Sequence, residues 1–433
     1  MNAQELQNQA DALMKQNQFQ PAAELYAQLW EQFPQSQDEW VAWKYARALR
    51  KANNSRKALE ICQQGRAIKP DFDRLNHVYG WALYDVYMKG ADETLDNNQF
   101  FKAANEVINL TKQEIYSPYT WIVLRVVDYL KKKPSPSYPA ILEWLDKLKP
   151  ELLSKEERSA PSTDEHNDTY VSEQEKWYTT RVRALVETKR YDEGIELCTQ
   201  VLKLFTTFHH DYDVWLRWYR ALSLHAVHRL EEALTDLKYV ERKKNGFFVK
   251  HEIALVYFEM GDPTRAIAIA AQAALGRGDL EYEWEMFFNM ARILHVLGDV
   301  EHAQEHALLA FKIRQEKDWA IPIELMQLIT TLHLNTNIDV TARNLYKRLK
   351  PFWETLKPVT ETEFKGRIDK LHSNGKSGII RGEDGKTFFF AMRSVLANPM
   401  QLTIGTAVGY NQTTNVNRNK GTEEIHATDI VLA

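Results

Sequence analysis

Pairs of alanines twelve positions apart constrain this chain more than any other feature. They fall at Ala10 and Ala22, Ala46 and Ala58, Ala221 and Ala233, Ala254 and Ala266, and Ala291 and Ala303. The first two pairs stand 36 residues apart, and each is followed twelve positions on by a proline, Pro34 and Pro70. Gly261 and Gly298 fall in the short turns between two later pairs. Antiparallel helices of about 14 residues, stacked in a repeating series, approach closely only where side chains are small. One such hairpin cannot bury its apolar face alone, so neighbours must stack, and Tyr26, Leu49, Leu237, Tyr257 and Leu294 are expected to fill the space between them. Helix formers dominate residues 1–358, with 17 glycines and 14 prolines in 433 residues, so the expected class is mainly α.

The quoted segments ADALMKQNQFQPAAELYAQLWEQFP (10–34), ARALRKANNSRKALEICQQGRAIKP (46–70), IALVYFEMGDPTRAIAIAAQAAL (253–275) and MARILHVLGDVEHAQEHALLAF (290–311) carry this spacing. They resemble the tetratricopeptide repeat family, whose period lies near 34 residues. The resemblance is strong over 3–70 and 175–312. It weakens over 72–134, where MKGADETLDNNQ is expected to lengthen one loop, and again over 321–357, expected to be a closing helix pair. The polar segment 151–175 reads as a flexible linker or loop. It would separate an arm at 1–150 from a second at 176–358.

The resemblance implies a concave surface made by the first helix of each hairpin. Placing the hairpins by their alanines puts Trp43, Lys44, Arg47, Arg50, Lys51, Arg183, Trp218, Tyr219, His251, Asn289 and Arg292 on that surface. The Lys44, Arg47 and Arg50 stripe suits an acidic peptide tail or phosphates, and its alternative is a solvated basic helix face.

After Pro358 the period changes. Short runs such as KSGIIRG, KTFFFAM, TAVGYNQTTN and HATDIVLA alternate with the turns SNG, EDG and NRNKG. Five strands at this spacing predict a small closed barrel over 360–433. The segment GRIDKLHSNGKSGIIRGEDGKTFFFAMRSV resembles the first three strands of a cold-shock domain, an oligonucleotide-binding barrel. Gly366, Ile368, Gly378, Ile380 and Phe388 to Phe390 carry the match. The resemblance implies single-strand binding by base stacking. Yet Lys370, Ser377 and Ile379 stand where the family's stacking aromatics stand, leaving Phe389 as the retained one. Residues 360–433 hold nine Lys/Arg and eight Asp/Glu, a net of +1, so the expected nucleic-acid contact is weak. Lys370, Lys376, Arg381, Phe389 and Arg393 would make it.

Gly375-Lys376-Ser377 resembles the tail of a phosphate loop. Lys370 occupies the position of its first glycine and a strand follows, so it reads as a turn. HAQEH (302–306) has a zinc-peptidase spacing, but Ala303 and Ala307 take the packing face, so His302, Glu305 and His306 are expected in solvent. HHDYD (209–213) reads as a solvated loop. Cys62 and Cys198 have no metal spacing, and two cysteines fit a reducing compartment. No nucleophile elbow, dinucleotide fingerprint or calcium loop is present, so no catalytic residue, cofactor or metal is expected. Net charge is −4 and no apolar run is long enough for a membrane span, so a cytoplasmic, non-enzymatic protein is expected. Three functions remain open: an adaptor for a protein partner with the barrel as a second contact, an RNA or single-stranded DNA binder, and an inhibitory or regulatory subunit wrapped around an effector.

Overall fold

In the computed structural model the described residues are all but 91, 157, 160–168, 245, 277–278, 357–361, 363, 374, 396–401, 418–421 and 433. They form a mostly helical, tetratricopeptide-like solenoid followed by a closed five-stranded barrel. Two compact units divide the chain, residues 1–243 and 244–433.

The first unit contains α1 (Ala3–Lys15), α2 (Phe19–Gln32), α3 (Glu39–Lys51), α4 (Ser55–Ile68), α5 (Asp73–Tyr87) and α6 (Asn97–Leu110). It continues with α7 (Tyr119–Lys131), α8 (Tyr138–Leu145), α9 (Glu173–Glu187), α10 (Tyr191–Leu204), α11 (Tyr212–Ala226) and α12 (Leu230–Lys243). Side-chain caps start many of these helices. Asn2 and Glu5 form a capping box on α1, and Asp38, Asn54, Asp96 and Ser172 each accept from a first-turn N–H. All ten of the spaced alanines are buried, as the close helix approach requires. Tyr26 and Leu49 are buried beside them.

The long loop expected between α5 and α6 is present, and a short 3-10 turn, Asp92–Thr94, anchors it. Arg125 on α7 holds that turn through Asp92 and donates to the Met88 carbonyl at 3.1 Å.

The expected break at 151–175 is not where the structure divides. One hydrophobic core runs from Leu6 to Leu216 across that segment. Trp177 Nε1 donates to the Leu145 carbonyl at 3.0 Å, and Gln174 Nε2 donates to the Pro150 carbonyl at 2.9 Å. These bonds, with buried Gln174 and Glu175, join α9 to α8 despite the polar composition between them. The segment also contributes a two-strand pair, β1 (Arg158–Ser159) and β2 (Thr169–Tyr170).

The second unit begins with α13 (Phe247–Glu259), α14 (Pro263–Ala274), α15 (Trp284–Val296) and α16 (Val300–Glu316). The closing pair is α17 (Ile323–Thr331) and α18 (Ala342–Thr355). Gly261 and Gly298 carry φ of +82° and +79°, which explains glycine in those turns.

The barrel strands are β3 (Phe364–Leu371), β4 (Ser377–Gly382), β5 (Thr387–Ala391), β6 (Ala407–Asn417) and β7 (Thr422–Leu432), ordered β3-β4-β5-β7-β6 and closed. Closure removes unpaired edges. The core is Ile368, Ile380, Phe388, Phe390, Leu402, Val408, Tyr410, Ala427 and Ile430. Alternation along β5 buries Phe388 and Phe390 and turns Phe389 outward. Gly378 lets Phe390 lie flat on β4: an added Cβ would meet Phe390 and the Lys370 carbonyl, each at 2.6 Å.

Candidate functional site

The cations of α3 are less available than their sequence stripe suggests. Lys44 Nζ bonds Asp11 on α1 at 2.6 Å, and Asp11 also accepts from the Tyr26 hydroxyl. Arg50 Nε bonds Asp85 on α5 at 2.6 Å, and Ser55 shares that carboxylate. Carboxylates from the neighbouring hairpins thus already neutralise two members of the expected acidic-peptide site. Arg47 and Lys51 are exposed, and Arg47 lies 5.7 Å from the Trp43 ring centroid.

What this face offers outward is aromatic. Trp40, 45% exposed, packs edge-on against Trp43 and Phe72, and Arg74 lies over both tryptophans. Further along, Trp81, Tyr84 and Trp121 meet pairwise at 6.2 Å, with Trp121 40% exposed and Arg50 over Trp81 at 5.2 Å. Arginine stacked on tryptophan keeps a flat apolar surface while leaving polar donors at its rim.

Arg183 on α9 lies 5.7 Å from the Tyr138 ring, and Tyr219 on α11 lines the same cavity as Arg183. Trp218 is half-buried on α11. In the second unit the structure brings together three residues read from the sequence. His251 on α13 bonds Asn289 on α15 at 3.1 Å, and Arg292 Nη1 donates to Asn289 Oδ1 at 2.9 Å. Burial pulls the His251 pKa down to about 4, so its ring is neutral at pH 7. These three stabilise each other across two helices, which leaves Arg292 as the outward charge.

On the barrel, Phe389 is 40% exposed and flanked by His372 at 6.2 Å and His426 at 5.0 Å. The register sets this, since Phe389 pairs with His426 across the parallel β5–β7 seam. His372 Nδ1 contacts Ser377 Oγ at 2.9 Å, which holds its ring beside Phe389. Sequence reasoning missed both histidines, because nothing local links 372, 389 and 426. Arg381 is committed to Asp369 through two bonds of 3.0 Å. Lys370 and Lys376 are exposed, and the Arg393 side chain lies outside the described residues.

His306 corrects the solvated reading of HAQEH. It is fully buried and accepts from Trp353 Nε1 at 2.8 Å, because α18 packs over α16. His302 stacks on Phe352 and contacts Asp299, while Glu305 pairs with Arg348 at 2.8 Å. His209 likewise is not simply solvated: its ring lies 2.9 Å from buried Glu175. Among the described residues no group of three His, Cys, Asp or Glu side chains could hold a metal. Both cysteines are buried, which pushes their thiol pKa values up and makes them poor nucleophiles.

Residues 13–80 match the tetratricopeptide repeat family, and residues 214–351 match a domain of unknown function, DUF7017. No curated protein matches the chain. Among solved structures, a tetratricopeptide repeat protein from Parabacteroides merdae ATCC 43184 is 11% identical, covering 76% of this chain and 98% of its own, with a TM-score of 0.31. Human IFIT1, solved as a dimer with m7Gppp-AAAA, is 14% identical, covering 74% and 69%, with a TM-score of 0.36. The Naa15/Naa10 structure bound to HypK-THB is 11% identical, covering 77% and 46%, with a TM-score of 0.44. No helix among the described residues is long and apolar enough to cross a membrane.

Proposed function

We propose that this chain is a non-enzymatic adaptor that holds a protein partner on the aromatic face of its first unit. The observation that carries this reading is the pair of tryptophan–arginine clusters, with Trp40, Arg74 and Trp121 exposed and Trp43, Arg50 and Trp81 half-buried beside them. Tryptophan, tyrosine and arginine dominate binding energy at protein interfaces, because they bury large area with little loss of conformational freedom. The prior pairing of Lys44 and Arg50 shifts the expected partner segment away from a strongly acidic tail and toward an apolar or aromatic one with few charges. The test compares the full chain with Trp81→Ala/Trp121→Ala, both immobilised, using quantitative capture and the thermal melt of each. Proteins lost from the variant at an unchanged melt support the reading. An identical captured set abandons it.

The barrel supplies a second, weaker contact. Its strand order places the first strand against the fourth, and Phe389 faces outward from the third. One exposed phenylalanine between two histidines suits stacking of a single base with low affinity. Phe389→Ala should then weaken single-stranded RNA binding about tenfold, measured by anisotropy at two salt concentrations. We place the protein in the cytoplasm, since its cysteines are free and buried.

A further inference from the structure

In the first unit, α7, α9 and α11 line a half-open groove of about 430 Å³. Lys131 stands at one side, from the last turn of α7, and Thr180 and Arg183 line it from successive turns of α9. Tyr212, Trp215 and Tyr219 form the opposing wall. Their spacing of i, i+3 and i+7 puts all three rings on one stripe of α11.

No carboxylate lines this cavity. The acidic groups around it are already paired: Asp128 bonds Lys176 at 2.6 Å, and Glu187 pairs with Arg183 at 3.7 Å. Lys131 Nζ lies 3.3 Å from Thr180 Oγ1, which leaves the threonine O–H free to donate. Burial lowers the Lys131 pKa, and the positive charges of Lys176 and Arg183 add to the effect while Asp128 opposes it. Two cations thus line one half-open groove whose lining holds no carboxylate, an arrangement that suits an anionic ligand.

We propose that this cavity binds a 5′-phosphorylated nucleotide, its phosphate between Lys131 and Arg183 and its base against the Tyr212, Trp215 and Tyr219 wall. Two cationic side chains and a hydroxyl match a phosphate dianion better than a single carboxylate. The ring wall supplies the flat surface a base requires. The inference stands apart from the protein-partner reading, which rests on a different stretch of the unit. The sources of this ligand are a free nucleotide and the 5′ end of a strand.

The experiment uses the full chain. Anisotropy compares one short single-stranded RNA bearing either a 5′-phosphate or a 5′-hydroxyl, and calorimetry measures AMP and inorganic phosphate. The 5′-phosphate should tighten binding about tenfold or more, and Lys131→Gln and Arg183→Gln should each remove that preference. Trp215→Ala should weaken AMP more than inorganic phosphate. Arg190→Gln, at a cation paired with Glu193 outside the cavity, should change nothing. Thr180→Val, which removes one donor and no charge, serves as the second variant if a charge variant fails to fold. AMP binding as tightly as the phosphorylated RNA supports the site with a free nucleotide as source, and tighter RNA binding supports it with a strand end. Equal affinity for the two RNA ends with no AMP binding overturns the proposal. So does a 5′-phosphate preference that survives both charge variants, or an acidic peptide bound through these residues with no preference for phosphate.

Discussion

The helical array buries polar groups at the joints between its helices, whereas the barrel interior is almost wholly apolar. In the array, Asp236 is buried under Arg217 and Arg220, Glu175 under His209, and His306 under Trp353. In the barrel, Ser377 is the buried polar residue among those described, and its hydroxyl lies 2.9 Å from His372 Nδ1. The reason is geometric. A barrel satisfies its backbone by strand pairing and needs only filler inside, and its glycines let that filler approach. Stacked helices satisfy their own backbones, so register between hairpins must come from side chains, and directional polar bonds supply it. Steric insults should therefore harm the barrel most, and pH should act on the array.

The largest expected effect is Gly378→Ala. The new methyl meets a backbone carbonyl and the Phe390 ring, so the barrel should lose about 3 kcal/mol or more. Limited proteolysis should then cut within 364–432 while helical circular dichroism persists. A barrel as protected as wild type would break the comparison.

Next in size is the pH dependence from His306. Burial holds its folded pKa at about 4, below the unfolded value of ~6.5. The neutral ring is therefore stabilising above pH ~6.5, and that contribution, about 2–3 kcal/mol, is lost as pH falls toward 4. Denaturant titrations of wild type and His306→Asn should show the difference between them shrinking across this window.

Glu283 should act with the opposite slope. Burial, aided by Asp279, raises its pKa to about 7, so stability is lost as pH rises from ~4.5 through 7. Glu283→Gln should stabilise by about 1–2 kcal/mol at pH 8 and change little at pH 4, read from the same titrations. Equal effects at both values would mean that folding does not shift the Glu283 pKa. The smallest effect is the Arg50–Asp85 coupling, expected at about 1 kcal/mol in a double-mutant cycle because the pair is only partly exposed.

These pairings explain what the sequence revealed and what it hid. The alanine spacing was legible because a close helix crossing tolerates few other side chains. Strand alternation likewise exposed Phe389. The partners of Lys44 and Arg50 were overlooked, although Asp11 and Asp85 lie 33 and 35 positions away, close to the repeat period. The same interval recurs in Trp30–Gln64 at 34, His209–Glu175 at 34 and Asn289–His251 at 38. Charge complementarity one repeat away was thus a usable signal, since equivalent helices of adjacent hairpins touch. The Lys131–Thr180 contact spans 49 positions because the 151–175 segment interrupts the period, so spacing could not find it. Phe389 and His426 meet only because β5 and β7, far apart in the sequence, pair in the barrel.

That closure also sets an order of events. β3 pairs with β6, and β5 pairs with β7, so no barrel exists until residues 407–432 have been made. The array's contacts run mostly between neighbouring helices, so each hairpin can settle as the next one emerges during synthesis. A nascent chain stalled before β7 would then carry finished hairpins beside a set of unpaired strands, with Phe388 and Phe390 still seeking cover.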